Sequence, residues 1–310
     1  MNSKKLTIII VTILILLLGA WFGGSWYATQ TAEERLQRFV DEKGLADKVS
    51  WNKVSATPLK TVNISGLEIA DQLFVDELQI KDFENESNQQ RIDLRAIGIK
   101  DQRGYAPDWL LFGWGAKSGM INTAPADLNF KADLNYSTGN GLINVEFAAK
   151  DFLQGNGSLS ISNIYSLKTL LQAVENSGFK NNTFGIFGLL GSIENIQFNQ
   201  LDIDFKDLGM LRRYIVLKQR YDGVPLPSNQ DDEAMLKAYQ QKMDKAVNEC
   251  AQAPIVQNDR EACVKIVEVL KGEKSSLKGS IKCVKSISLG EFLMKGLNNG
   301  KSNSIRLEID

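Results

Sequence analysis

The sequence predicts an α+β chain rich in β structure: a curled antiparallel sheet of meander repeats with packed helices, preceded by one N-terminal transmembrane helix. Three observations predict it. Residues 6–24, LTIIIVTILILLLGAWFGG, carry no charge. Three nearly identical phrases follow: VNISGLEIAD (62–71), LFVDELQIKD (73–82) and IDLRAIGIKD (92–101). Alternating segments then recur to the C-terminus, interrupted by stretches of helical period.

The apolar start comes first. At a rise of 1.5 Å, nineteen helical residues cover about 29 Å, close to the hydrocarbon thickness of a bilayer. A cleaved secretory signal is the competing reading, but its apolar core runs to about 7–15 residues. Trp21, Phe22, Trp26 and Tyr27 suit an interfacial belt at the far leaflet. Lys4 and Lys5 precede the span, so the positive-inside rule places the N-terminus in the cytoplasm. The expected division is a cytoplasmic tip and anchor over 1–27 and an extracytoplasmic body over 28–310. Gly19 and Gly23 form a GxxxG, read either as a helix-pairing face or as ordinary glycines of a single span.

Thr31 and Glu34 have capping-box spacing, with Leu36, Phe39 and Val40 on one face and Gly44 at the stop. They predict a short amphipathic helix, lying on the bilayer or packed on the body. In the three phrases, apolar residues alternate, step by three, and alternate again. Period two means a strand with one buried face, and the three-residue step needs an extra residue absorbed by a β-bulge, for which Gly66 is suited. Asp71, Asp82 and Asp101 read as turn-formers closing each strand.

Further strands are predicted at 128–137, 141–152, 157–164, 196–205, 276–289 and 304–310, with Thr138–Gly141 as a hairpin connection. Helices are predicted at 166–178, 207–221, 231–251 and 259–272, the last two as a hairpin around Pro254. The helical insertion covers about 207–272. Asp231, Asp232 and Glu233 complement the dipole of a helix start.

Composition removes much chemistry. There is no histidine, which excludes Ser-His-Asp and Cys-His catalysis and His-bearing zinc sites. Lys and Arg total 36 against 37 Asp and Glu with no basic stripe, so nucleic acid is not an expected partner. No phosphate-binding, dinucleotide or Cys-x-x-Cys motif occurs, and FGIFGLLGS (184–192) is glycine-rich but apolar. No catalytic, metal or cofactor residue is assigned, and no enzyme is predicted. Of three cysteines, Cys250 and Cys263 fall at facing positions of the helical hairpin; in an extracytoplasmic body they are a candidate disulfide, with Cys283 left over as a small hydrophobe.

One N-terminal anchor is followed by VSWNKVSATPLKTVNISGLEIAD, IDFKDLGMLRRYI and SSLKGSIKCVKSISLGEFL. That layout resembles the bacterial AsmA-like proteins and their YdgA-type relatives. The resemblance implies an inner-membrane anchor, a β-rich periplasmic body, envelope maintenance and, in larger relatives, phospholipid movement along an apolar groove. On that expectation Ile64, Leu67, Ile69, Leu78, Ile80, Leu94, Ile97 and Ile99 line a groove; the alternative is that they fill a core beneath the helices. The other functional reading is an interaction module that binds envelope proteins through sheet edges or the helical hairpin.

Overall fold

The computed structural model describes residues 28–42, 44–57, 61–111, 113–165, 167, 195–221, 232–251, 260–295 and 305–309. The predicted span at 6–24, most of the predicted helix at 166–178, the apolar loop at 184–192 and the turn at Pro254 lie outside them. Among the described residues, no helix is long and apolar enough to cross a membrane.

One 11-stranded antiparallel sheet forms the frame. Its strands are β1 (Val49–Ser50), β2 (Lys53–Ala56), β3 (Val62–Ile69), β4 (Leu73–Asn85), β5 (Gln89–Lys100), β6 (Ala126–Asn135), β7 (Asn140–Ala149), β8 (Leu153–Ser162), β9 (Gln197–Asp207), β10 (Ser276–Ser288) and β11 (Ile305–Ile309). From β3 onward each strand pairs with the next in sequence, while β1 and β2 both pair with the outer side of β3. Among the described residues the sheet is therefore an open meander, β11 pairing only with β10. Helices are α1 (28–42), α2 (Trp114–Lys117), α3 (Met210–Tyr221), α4 (Asp232–Ala251), α5 (Arg260–Leu270) and α6 (Leu289–Lys295). The insertion between β9 and β10 holds α3, α4 and α5.

The three-residue step has a geometric cause that one bulge does not describe. Gly66 and Asp76 face each other between the pairs Ser65–Glu77 and Leu67–Val75. Gly98 faces Asp76 on its other side, between Glu77–Ile97 and Val75–Ile99. Gly66 and Gly98 both take positive φ, 61° and 69°, which side chains with a Cβ resist. Ile64 and Leu67, Val75 and Leu78, and Ala96 and Ile99 consequently share one core. All three strands step at the same level, so the register from β3 through this stretch of β5 stays continuous. An offset appears where β5 meets β6, between Ala96 and Ile99. In β9, by contrast, the step from Phe198 to Leu201 is a bulge against β8, at Ser160–Ile161.

Several expectations need correction. Helix α1 already covers 28–30, so Thr31 is not its cap. Leu36 and Val40 are packed or buried, but Phe39 is exposed. Asp82 lies inside β4, which runs on to Asn85, rather than ending a strand. Asp71 does sit in a turn at φ 55°, and Asp101 accepts the Arg103 backbone N–H at 2.9 Å just after β5. Gly44 closes α1 with φ 64°, and Gly272 follows α5 with φ 74°.

The cores lie on one face of the sheet. Helix α1 covers Val54, Ile64, Leu67, Val75 and Ile99 through Ala32 and Leu36. Residues 106–120 and α3 close over Ala126, Ala149 and Phe152. Helices α4 and α5 pack on Leu307 and Ile309 of β11. Each such fully buried aliphatic side chain contributes roughly 1.5–3 kcal/mol.

Candidate functional site

Strand pairing lines up side chains across the sheet, and directly paired residues share a face. One such row reads Ala56, Val62, Ile80, Leu94, Phe130, Val145, Gly157, Ile203, Gly279, Ile309. It contains no polar side chain. Only Ala56 at its end is buried; Val62 through Gly157 are half-buried, and Ile203 is 40% exposed. Leu94, Phe130, Val145 and Ile203 join none of the packed cores among the described residues. Among the described residues, the middle of the apolar face thus runs as a half-buried to exposed band that joins no packed core, between α1 and α3 on one side and the cores around Ile161 and Phe198 on the other.

The eight residues expected to line a groove divide. Ile64, Leu67 and Ile99 are buried, at 2%, 8% and 5% exposure, beneath α1. Leu78 and Ile80 pack against that same core. Leu94 is half-buried in that band, while Ile69 is exposed at the end of β3. Ile97 pairs with Glu77, which places it on the opposite face, because the phase change in β5 falls after it, at Gly98. The structure does not bring the eight together. The band lies farther along, over β5 to β9, and of the eight only Leu94, in the third repeated phrase, belongs to it.

One residue along each strand, the row reads Ser55, Asn63, Gln79, Arg95, Asn129, Glu146, Asn156, Asp204, Lys278. Every member is polar. Two adjoining concavities, of about 500 and 390 Å³, open on this face and share Asn129, Glu146 and Asn156. Lys81, Arg95, Lys131 and Lys206 line them together with Asp93, Asp127, Glu146 and Asp204, four cations against four carboxylates. Asn129 donates through Nδ2 to Glu146 Oε2 at 2.7 Å, and its Oδ1 is enclosed without a partner. Asn63 Oδ1 is in the same position. Beyond the concavities, the Gln200 amide at 2.7 Å from Asp202 holds that carboxyl below the usual carboxylate range, with Lys282 and Lys278 adding to it. Within its own strand each of Asp202 and Asp204 is one more polar residue of an alternating pattern; the row exists only once register is known.

The terminal strands are blunted. At β2, Ala56 donates its N–H to Thr29 Oγ1 at 2.8 Å. At β11, Lys265 Nζ donates to the Ile309 carbonyl at 3.0 Å. Cys250 and Cys263 are joined in a disulfide between α4 and α5, with Cα atoms 5.8 Å apart, and Cys283 is free. Lys271 closes the same subdomain from a 12% exposed position, reaching Glu273 at 2.6 Å and Asp244 at 2.9 Å. Hydrogen bonds to Glu273 and then Asp244 raise its pKa. No protein-family model matches this chain, and no curated protein matches it.

Proposed function

We propose that the chain is a noncatalytic, membrane-tethered module of the bacterial cell envelope, akin to the AsmA-like proteins, that holds phospholipid acyl chains on the apolar face of its sheet. In this reading residues 6–24 span the inner membrane with the N-terminus in the cytoplasm, and the body over 28–310 works in the periplasm. The observation that carries it is the centre of the apolar row, Leu94, Phe130, Val145 and Ile203, which among the described residues joins no packed core. Extended acyl chains match a continuous band without donors or acceptors, and a bilayer anchor supplies them at hand. A Cys250–Cys263 disulfide suits an oxidising compartment. The blunted strand ends favour this reading over pairing through sheet edges.

The test is native mass spectrometry of the full chain with lipid extraction after purification in a mild detergent. Near-stoichiometric phospholipid, lost in Ile203→Asp and retained in the exposed control Lys278→Ala, is the expected result. A lipid-free protein, or lipid content indifferent to Ile203→Asp, would overturn it and direct the search to protein partners of the α4–α5 hairpin.

A further inference from the structure

We infer that the outer edge of β11 pairs with the same edge of a second copy of this chain, joining two sheets into one closed dimer. The inference is independent of the acyl-chain reading, because it uses an edge of the sheet and neither broad face.

The strand is Ile305–Ile309 and reads IRLEI. Among the described residues it pairs with β10 alone, so its other edge is a template for one more strand. Its charges are their own complement. Set antiparallel to itself about Leu307, the strand places Arg306 opposite the partner's Glu308, and Glu308 opposite the partner's Arg306. Opposite charges directly across a pair stabilise it, and like charges destabilise it. The pattern therefore fixes one register. A slip of one residue sets polar positions against apolar ones and mismatches the two faces. A slip of two sets Arg306 against the partner's Arg306, or Glu308 against the partner's Glu308.

The inner side of the strand points the same way. On β10 the direct partner of Arg306 is Lys282, a like charge. Lys282 reaches Glu308 instead, and Arg306, its side chain 59% exposed, stands 3.7 Å from that carboxylate. The place across the open edge is where a second carboxylate relieves Arg306, and self-pairing fills it in both copies.

One contact stands in the way. Lys265 of α5 donates to the Ile309 carbonyl at 3.0 Å, which turns away strands without matching charges. Lys265 also meets Glu261 at 3.3 Å, so releasing Ile309 leaves its ammonium partnered. A second copy replaces that single bond with two charge pairs and a main-chain ladder. Growth stops at two, because isologous pairing occupies the same edge on both copies. At the far flank the Ala56 N–H stays bonded to Thr29.

The experiment is sedimentation equilibrium of the full chain in a density-matched detergent. A reversible dimer is expected, tightened several-fold by Lys265→Met. Arg306→Glu and Glu308→Arg should each weaken it about tenfold or more, since each sets like charges across both pairs. An equimolar mixture of the two variants should recover the parent's affinity, because the mixed pair again sets opposite charges across the edge. Recovery on mixing also shows that both variants are folded. Parent and Lys265→Met both monomeric up to about 1 mM would overturn the inference. So would a dimer indifferent to both charge substitutions, or charge variants that match the parent in thermal unfolding yet stay monomeric when mixed.

Discussion

Gly98 lies directly under the carboxylate of Asp76: a Cβ placed on Gly98 would stand 2.2 Å from Asp76 Oδ2 and 2.9 Å from Asp76 Cβ. At φ 69° the position is already strained for any other residue. Gly98→Ala is therefore expected to cost about 2–4 kcal/mol, strain plus displacement of a neighbouring strand. Gly44→Ala, also at positive φ but with nothing within 4 Å, should lose only about 1 kcal/mol. Urea unfolding midpoints compare the two, and equal losses would show that the phase change does not depend on the close approach.

The apolar face should separate into covered and uncovered halves. Ile64, 2% exposed beneath α1, is expected to lose about 2–5 kcal/mol on truncation to Ala. Ile203, 40% exposed, should lose less than about 1 kcal/mol. Chemical denaturation of both variants checks this, and a large loss at Ile203 would mean that the centre of the row is core.

Reduction of the Cys250–Cys263 bond, or its replacement by paired Ser, frees a loop whose ends are 13 residues apart in sequence. In the chain-entropy model that loop is worth about 3 kcal/mol. The loss should concentrate in α4 and α5, where Val247, Ala262 and Val267 are buried around the bond. Hydrogen exchange resolved by residue reads it directly; uniform loss across β6 to β8 would contradict a local role.

Two pH effects of opposite sign are expected. Asp202 has its folded pKa lowered by Gln200, so its contribution is full above the unfolded value of 3.8 and fades as pH falls through the folded one. Lys271 has its folded pKa raised by Glu273 and Asp244, so its contribution is full below the unfolded value of 10.5 and is lost as pH rises through the folded one. Asp202→Asn should flatten the acid limb of a stability profile, and Lys271→Met the alkaline limb. An Asp202→Asn profile still as steep in acid as the parent's would assign that limb to other carboxylates.

What the sequence revealed depended on how local the signal was. Alternation placed the strands containing Phe130, Val145, Leu159 and Ile203 within a few residues of their observed bounds, because period two is written in each strand alone. The short strands around Ser50 and Val54 were missed, being two and four residues long and broken at Trp51 and Asn52. The repeated phrase was visible, but the level of its phase change was not: β3 and β5 run parallel, and Gly98 takes the step two residues later in its phrase than Gly66. Ile97 was assigned to the wrong face for that reason. Neither the apolar nor the polar row could be read in advance, since the first is a property of nine pairings at once and the second of eight.

Thr29 and Lys265 have a consequence for how this chain behaves in crowded company. An open sheet of this width would ordinarily be able to recruit a neighbour at either end and grow. Here an edge N–H on one flank is already engaged by a hydroxyl, and an edge carbonyl on the other by an ammonium. Copies packed side by side at high density would meet with those bonds spent, so polymerisation through the flanks is discouraged.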